Sequence, residues 1–98
     1  MTAPSITREA PDRLVVTGDV DVQAAPGLLA RGQELLGGDQ EQSVDLSGIS
    51  RIDSAGVALL LEWTREARRR HVNIRFENVP EQVLAIARVC GVEHFLPH

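Results

Sequence analysis

Tyrosine is absent from this chain, and the other aromatic residues number only three: Phe76, Phe95 and Trp63. A core built from such a sequence is aliphatic, and it offers no row of rings on which successive bases could stack. Basic side chains are also in the minority, ten against fourteen acidic ones for a net charge of −4. That is the wrong sign for a protein that grips a phosphate backbone, so nucleic acid is excluded as an expected partner and the charge serves solubility. The single cysteine, Cys90, has no partner for an internal disulfide. It sits in an apolar helical pattern, where a free thiol behaves as a small hydrophobe, and a reducing cytoplasm fits best.

Long hydrophobic runs are missing too. The longest unbroken aliphatic stretch, Val57 to Leu61, is far too short to span a bilayer, and the amino-terminal "MTAPSITREAP" has no apolar segment of the kind a secretion signal carries. No G-x-x-x-x-G-K-[ST] phosphate loop is present and the eight glycines are scattered, so ATP hydrolysis is not expected of this chain. His71, His94 and His98 lack carboxylate or cysteine neighbours at metal-ligand spacing. No G-x-S-x-G motif supports a nucleophilic serine. The sequence therefore predicts no catalytic centre, cofactor or metal.

What is present is enough for one compact domain over residues 1–98, 43% hydrophobic. "RLVVTG", residues 13 to 18, reads as a buried strand closed by Gly18, with a weaker strand before it near Ile6. Leucines at 28, 29, 35 and 36 recur at helical spacing, predicting a helix over about 24–36 that stops at Gly37-Gly38 in a left-handed cap. Val44 and Leu46 alternate with Asp45 as a strand does. A second helix covers about 55–70. "HVNIRF" alternates Val72, Ile74 and Phe76 against polar residues as another strand, and Pro80 opens a third helix through Val83, Leu84, Ile86, Ala87 and Cys90, ended by Gly91. Phe95 and Leu96 are expected to pin the tail. This order predicts an α/β fold whose helix-linked strands run parallel through right-handed crossovers.

The turn "DSAG", Asp53 to Gly56, joins the central strand to the second helix with small, uncluttered residues. On a helical wheel Val57, Leu60, Leu61, Thr64 and Arg68 gather on one side, expected to face the sheet. Ala55, Leu59, Glu62 and Glu66 fall opposite, and Trp63 lies at the border. Leu59 thus points outward beside Ser54 and Ala55, giving a flat, partly apolar surface against which a partner could dock. A plainer reading stands beside this one: Asp53 or Ser54 is a helix N-cap worth roughly 1 kcal/mol, and Gly56 permits tight strand-to-helix packing.

"GDVD" at 18–21, "VDLSGISRIDSAGVALLL" at 44–61 and "GVEHFLP" near the end resemble, in order and spacing, the STAS domain family, to which bacterial anti-sigma factor antagonists belong. The resemblance implies a mixed four- to five-stranded sheet with about four helices packed on it, and a regulatory surface at the turn of Asp53 and Ser54. In antagonists that turn usually reads Asp-Ser-Ser-Gly, and the residue matching Ser54 is phosphorylated by a cognate anti-sigma factor kinase. Here Ala55 replaces the second serine, which counts against that role. "SRIDSAGVALLLEWTREARRR" with "FENVPEQVLAIARVCGVEHFLP" looks more like the branch of the family that serves the Mla phospholipid ABC transporter, which maintains outer-membrane lipid asymmetry. That likeness implies a non-catalytic cytoplasmic subunit that binds the MlaF-like ATPase and, through it, the inner-membrane permease. The docking face it implies comprises Asp53, Ser54, Ala55, Gly56, Leu59, Glu62 and Trp63.

Two features are left open by the sequence. Arg65, Arg68, Arg69 and Arg70 near a helix C-terminus fit a solvated face paired with Glu62 and Glu66, or contact with an acidic partner or anionic lipid heads. Asp45, on a strand next to the turn, is either an edge polar residue or a support for the loop backbone.

Overall fold

The computed structural model describes residues 3–36 and 41–98. Strand β1 (Ser5–Ala10) turns back into β2 (Arg13–Val20), which leads to helix α1 (Ala25–Leu35) and strand β3 (Gln42–Ile52). Helix α2 (Ser54–Arg69), strand β4 (Ile74–Glu77), helix α3 (Glu81–Val89) and a 3-10 turn, Glu93–Phe95, complete the chain. The sheet order is β1-β2-β3-β4, with β1 antiparallel to β2 and the helix-linked strands β2, β3 and β4 parallel. It is the mixed sheet that the STAS resemblance implied, with three α-helices and the 3-10 turn among the described residues.

Alternation along the strands decides which side becomes the core. Ile6, Leu14, Val16, Val44, Leu46, Ile74 and Phe76 are all buried, and removing each such side chain from water contributes roughly 1.5–3 kcal/mol. Their neighbours Arg13, Thr17, Asp45 and Glu77 are only half-buried and Arg75 is exposed, so the helices cover one face of the sheet and leave the other polar.

That polar face is organised around Arg13. Its guanidinium donates to Glu9 at 3.0 Å, Asp45 at 3.0 Å and Glu77 at 2.6 Å, one carboxylate from each of the other three strands. Asp45 also accepts from the Asn78 side chain at 3.0 Å and the Ser47 backbone N–H at 2.9 Å. The Asn78 and Ser47 bonds, with Arg13 beside them, push the Asp45 carboxyl down to about 2. Asp45 therefore fastens the bend at Asn78, whose φ of 54° is left-handed; its bonds go to Arg13, Ser47 and Asn78 and not to the turn at Asp53.

Other expectations need correction. Val72 is buried but lies ahead of β4, which starts at Ile74 because His71 takes a left-handed φ of 59°. The strand expected to close at Gly18 continues to Val20, Gly18 taking a φ of 87° beside a shift in the β2–β3 register. Cys90 is exposed rather than part of the core. It stands at the C-cap of α3, where Gly91 turns the chain away. Of the tail pair, Leu96 is buried but Phe95 is 52% exposed; the tail is held by the Phe76 N–H donating to the Pro97 carbonyl at 2.8 Å. The stop expected at Gly37-Gly38 lies outside the described residues.

Candidate functional site

The loops that leave β2 and β3 emerge side by side, because those strands are parallel and their last residues, Val20 and Ile52, are paired. Carboxyl ends of parallel strands are where open α/β sheets gather their ligand sites. Asp53 holds the two loops together. It is extended at the N-cap of α2, and one carboxylate oxygen accepts from the Gly56 N–H at 3.0 Å. The other accepts from the Val22 N–H at 3.2 Å. The Asp53 side chain is thus a structural clamp as well as a cap. Asp21 shapes the companion loop, accepting from the Gln23 and Ala24 N–H groups at 3.1 and 3.0 Å.

Ser54, the first residue of α2, is exposed, and Ala55 is half-buried beside it. Gly56 is buried: a β-carbon there would come within 2.3 Å of the Val20 carbonyl oxygen and 2.5 Å of Ile52 Cγ1. Its smallness answers to strand-to-helix packing, so the expectation that Gly56 belongs to a docking face is corrected.

The same correction applies to Leu59 and Trp63. Leu59 is 3% exposed and Trp63 1%, so the outward aliphatic patch expected at Leu59 does not exist. Helix α2 is rotated by about 90° from the expected orientation, counting 100° per residue. Its buried residues are Gly56, Val57, Leu59, Leu60, Trp63, Thr64, Glu66 and Ala67, so Val57, Leu60 and Thr64 face inward as expected, whereas Leu61 is half-buried and Arg68, expected against the sheet, is exposed. The cause is that α2 lies between α1 and α3 as well as on the sheet. Trp63 is spent on α1, its indole N–H directed at the Leu29 carbonyl at 3.4 Å. A wheel centred on the run Gly56, Leu60, Trp63, Ala67 at i, i+4, i+7, i+11 avoids placing an arginine in the core, and that signal was available in the sequence.

Glu66, also expected outward, is buried and bonded to Arg69 and, at 3.0 Å, to Arg70. The Arg69 hydrogen bond, ahead of the charges of both arginines, holds its carboxyl below the usual glutamate range. Arg70 continues to the Gln33 carbonyl of α1 at 2.8 Å. Two of the four clustered arginines are therefore internal fasteners.

The exposed residues of α2 are Ser54, Ala58, Arg65, Arg68 and Arg69, with half-buried Leu61 and Glu62 at the margins of the strip. Val22, 65% exposed, stands next to it on the loop clamped by Asp53. Val22 and Ala58 escaped the sequence reading; Ala58 follows Ser54 at i+4, whereas only the fold brings Val22 near. Among the described residues no group of three or more His, Cys, Asp or Glu could hold a metal ion. None of their helices is long and apolar enough to cross a membrane.

Three comparisons bear on this geometry. A family model described as "Mlab, STAS domain" matches residues 5–97. The chain is 30% identical over 78 residues to the intermembrane phospholipid transport system binding protein MlaB of Escherichia coli, covering 80% of this chain and 78% of that protein. MlaB of Shigella flexneri matches to the same extent. The fold is that of the anti-sigma factor antagonist SpoIIAA in its unphosphorylated form, with a TM-score of 0.71, 18% identity and coverage of 96% of this chain and 85% of that one.

Proposed function

Because the chain belongs to the STAS domain family, in the group described by its MlaB members, we propose that it is a non-catalytic accessory subunit of a phospholipid ABC transporter. In this reading it binds the MlaF-type ATPase subunit on the cytoplasmic side, supports that subunit's assembly and activity, and reaches the inner membrane only through the complex. The observation that carries the proposal is the clamp at Asp53, which joins the Val22 loop to the start of α2 and leaves Val22, Ser54, Ala55 and Ala58 on one side. Small side chains there let a partner's backbone approach closely, and Val22 supplies an apolar contact that water does not favour. Glu62 borders this surface; Leu59, Gly56 and Trp63 act behind it as its scaffold.

The test is co-purification with the cognate ATPase. Ser54→Arg and Val22→Asp, both at exposed positions, should abolish capture while circular dichroism stays that of the wild type. Arg75→Glu, on the polar sheet face, should capture normally. Undiminished capture by Ser54→Arg rejects the assignment.

A second reading is supported by the exposed hydroxyl of Ser54 at the helix start. A phosphate there would add about −1.5 to −2 charge, favoured by the helix dipole but opposed to a desolvated interface. Phosphorylation would then release the partner, and an anti-sigma factor kinase is the alternative partner. Intact mass of the protein from its own host, unphosphorylated under every growth condition, removes this reading.

A further inference from the structure

The C-terminal half of the exposed strip on α2 is walled by the 3-10 turn and forms a groove separate from the Ser54 surface. A cavity of about 320 Å³ is lined by Leu61, Arg65, Arg68, Val92 and Phe95. It shares Thr64 and Arg68 with a second cavity of about 420 Å³ that carries His71 and Asn73. The floor is apolar, with Phe95 52% exposed over half-buried Leu61 and Val92. The rim is cationic.

Every basic residue of this chain other than its histidines is an arginine, and the net charge is −4. A local excess of positive charge therefore runs against the whole. Arg69 and Arg70 are bound by Glu66, and Arg65 is paired with Glu62 at 3.2 Å on the helix surface. Arg68 lines both cavities, and its guanidinium has no hydrogen bond or ion pair among the described residues. Glu93 of the 3-10 turn is occupied by Arg88 at 3.0 Å. An unpaired guanidinium has a fork geometry that matches carboxylates bidentately.

We propose that this groove binds an acidic amphipathic helical segment of a partner protein, apolar anchors packed on Leu61, Val92 and Phe95 and carboxylates set against Arg68 and Arg65. Helix-in-groove recognition reads apolar anchors at i, i+3 or i+4 and i+7, and such spacing suits a groove running along a helix. The inference does not depend on which protein docks at Ser54.

The probe is a synthetic amphipathic peptide of about fourteen residues with leucines at those spacings and glutamates flanking them, titrated into the full chain labelled with nitrogen-15. Amide shifts should centre on Leu61, Arg65, Arg68 and Val92. Arg68→Glu and Phe95→Ser, both at exposed positions, should each weaken binding at least about ten-fold, and Arg68→Gln less, as expected for a lost charge-assisted contact. A peptide with lysines for glutamates should not bind, and Ser54→Arg should bind the acidic peptide as wild type does. Equal affinity for Arg68→Glu, shifts centred elsewhere, or no binding overturns the proposal. So does displacement of the peptide by phosphatidylglycerol vesicles at Arg68, which would make the groove a lipid-headgroup site.

Discussion

The indole of Trp63 lies directly against the bare backbone of Gly32 in α1: a β-carbon on Gly32 would fall 2.2 Å from Trp63 Nε1. Glycine inside a helix costs up to about 1 kcal/mol relative to alanine, so Gly32→Ala would stabilise α1 in isolation. Here the clash dominates, because Trp63 is among the largest fully buried side chains and cannot swing away. Gly32→Ala is expected to lower stability by about 1–3 kcal/mol, the range for overpacked cores. Urea denaturation measures it. Combining it with Trp63→Leu should cost less than the sum of the two single changes, since the smaller side chain vacates the contested space.

Leu59 separates scaffold from surface. It is 3% exposed, so Leu59→Ala should cost about 2–4 kcal/mol through lost burial and a residual cavity. Any loss of partner binding should follow the unfolded fraction and recover on cooling or with stabilising osmolyte. Ser54→Arg should do the reverse, abolishing capture with an unchanged melting temperature. If Leu59→Ala melts like the wild type, the orientation of α2 is wrong.

This contrast also marks how much the sequence disclosed. The strand pattern at Val44, Leu46, Ile74 and Phe76 was legible because period-two alternation needs only one covered face, and all four lie buried as read; in the run at 13–18, read as buried throughout, Leu14 and Val16 are buried but Val15 is half-buried. The turn at Asp53 was legible because a cap followed by a glycine has a local physical cause, and the Gly56 contact with Val20 shows that cause. The orientation of α2 was not read correctly, because a wheel assigns one buried stripe while this helix meets the sheet, α1 and α3 at once. Val22 was hidden for a different reason: its place beside Ser54 is set by a hydrogen bond across 31 residues, which no local pattern encodes.

Asp53 should be tested apart from Ser54. Asp53→Ala removes acceptors for both the Gly56 and Val22 N–H groups, and cap losses of this kind cost about 0.5–2 kcal/mol. The distinguishing readout is amide exchange. Val22 and Gly56 should both lose protection, while exchange at Leu60 in the middle of α2 is accelerated only by the global loss of stability. Unchanged exchange at Val22 would show that the loop is held by other contacts.

Acid should reveal the polar sheet face. Asp45 titrates at about 2 in the folded chain against an ordinary value of 3.8, so the folded state binds fewer protons than the unfolded one between those values. A depressed carboxylate contributes stability that is complete above the unfolded pKa and is lost as pH falls through the folded one. Discounted for partial solvent screening, since the side chain is half-buried, Asp45 is expected to account for about 1–2 kcal/mol of the loss between about pH 4 and pH 2. Glu66, lowered by Arg69 and Arg70, adds to the decline in the same direction as its carboxyl protonates. Urea denaturation across this range should show a shallower slope for Asp45→Asn than for the wild type, and that variant should be less stable at neutral pH because Arg13 and Asn78 lose their charged acceptor. A slope unchanged by the substitution would mean that the Arg13 network does not hold in solution, and that β4 is kept in register by its backbone pairing with β3 alone.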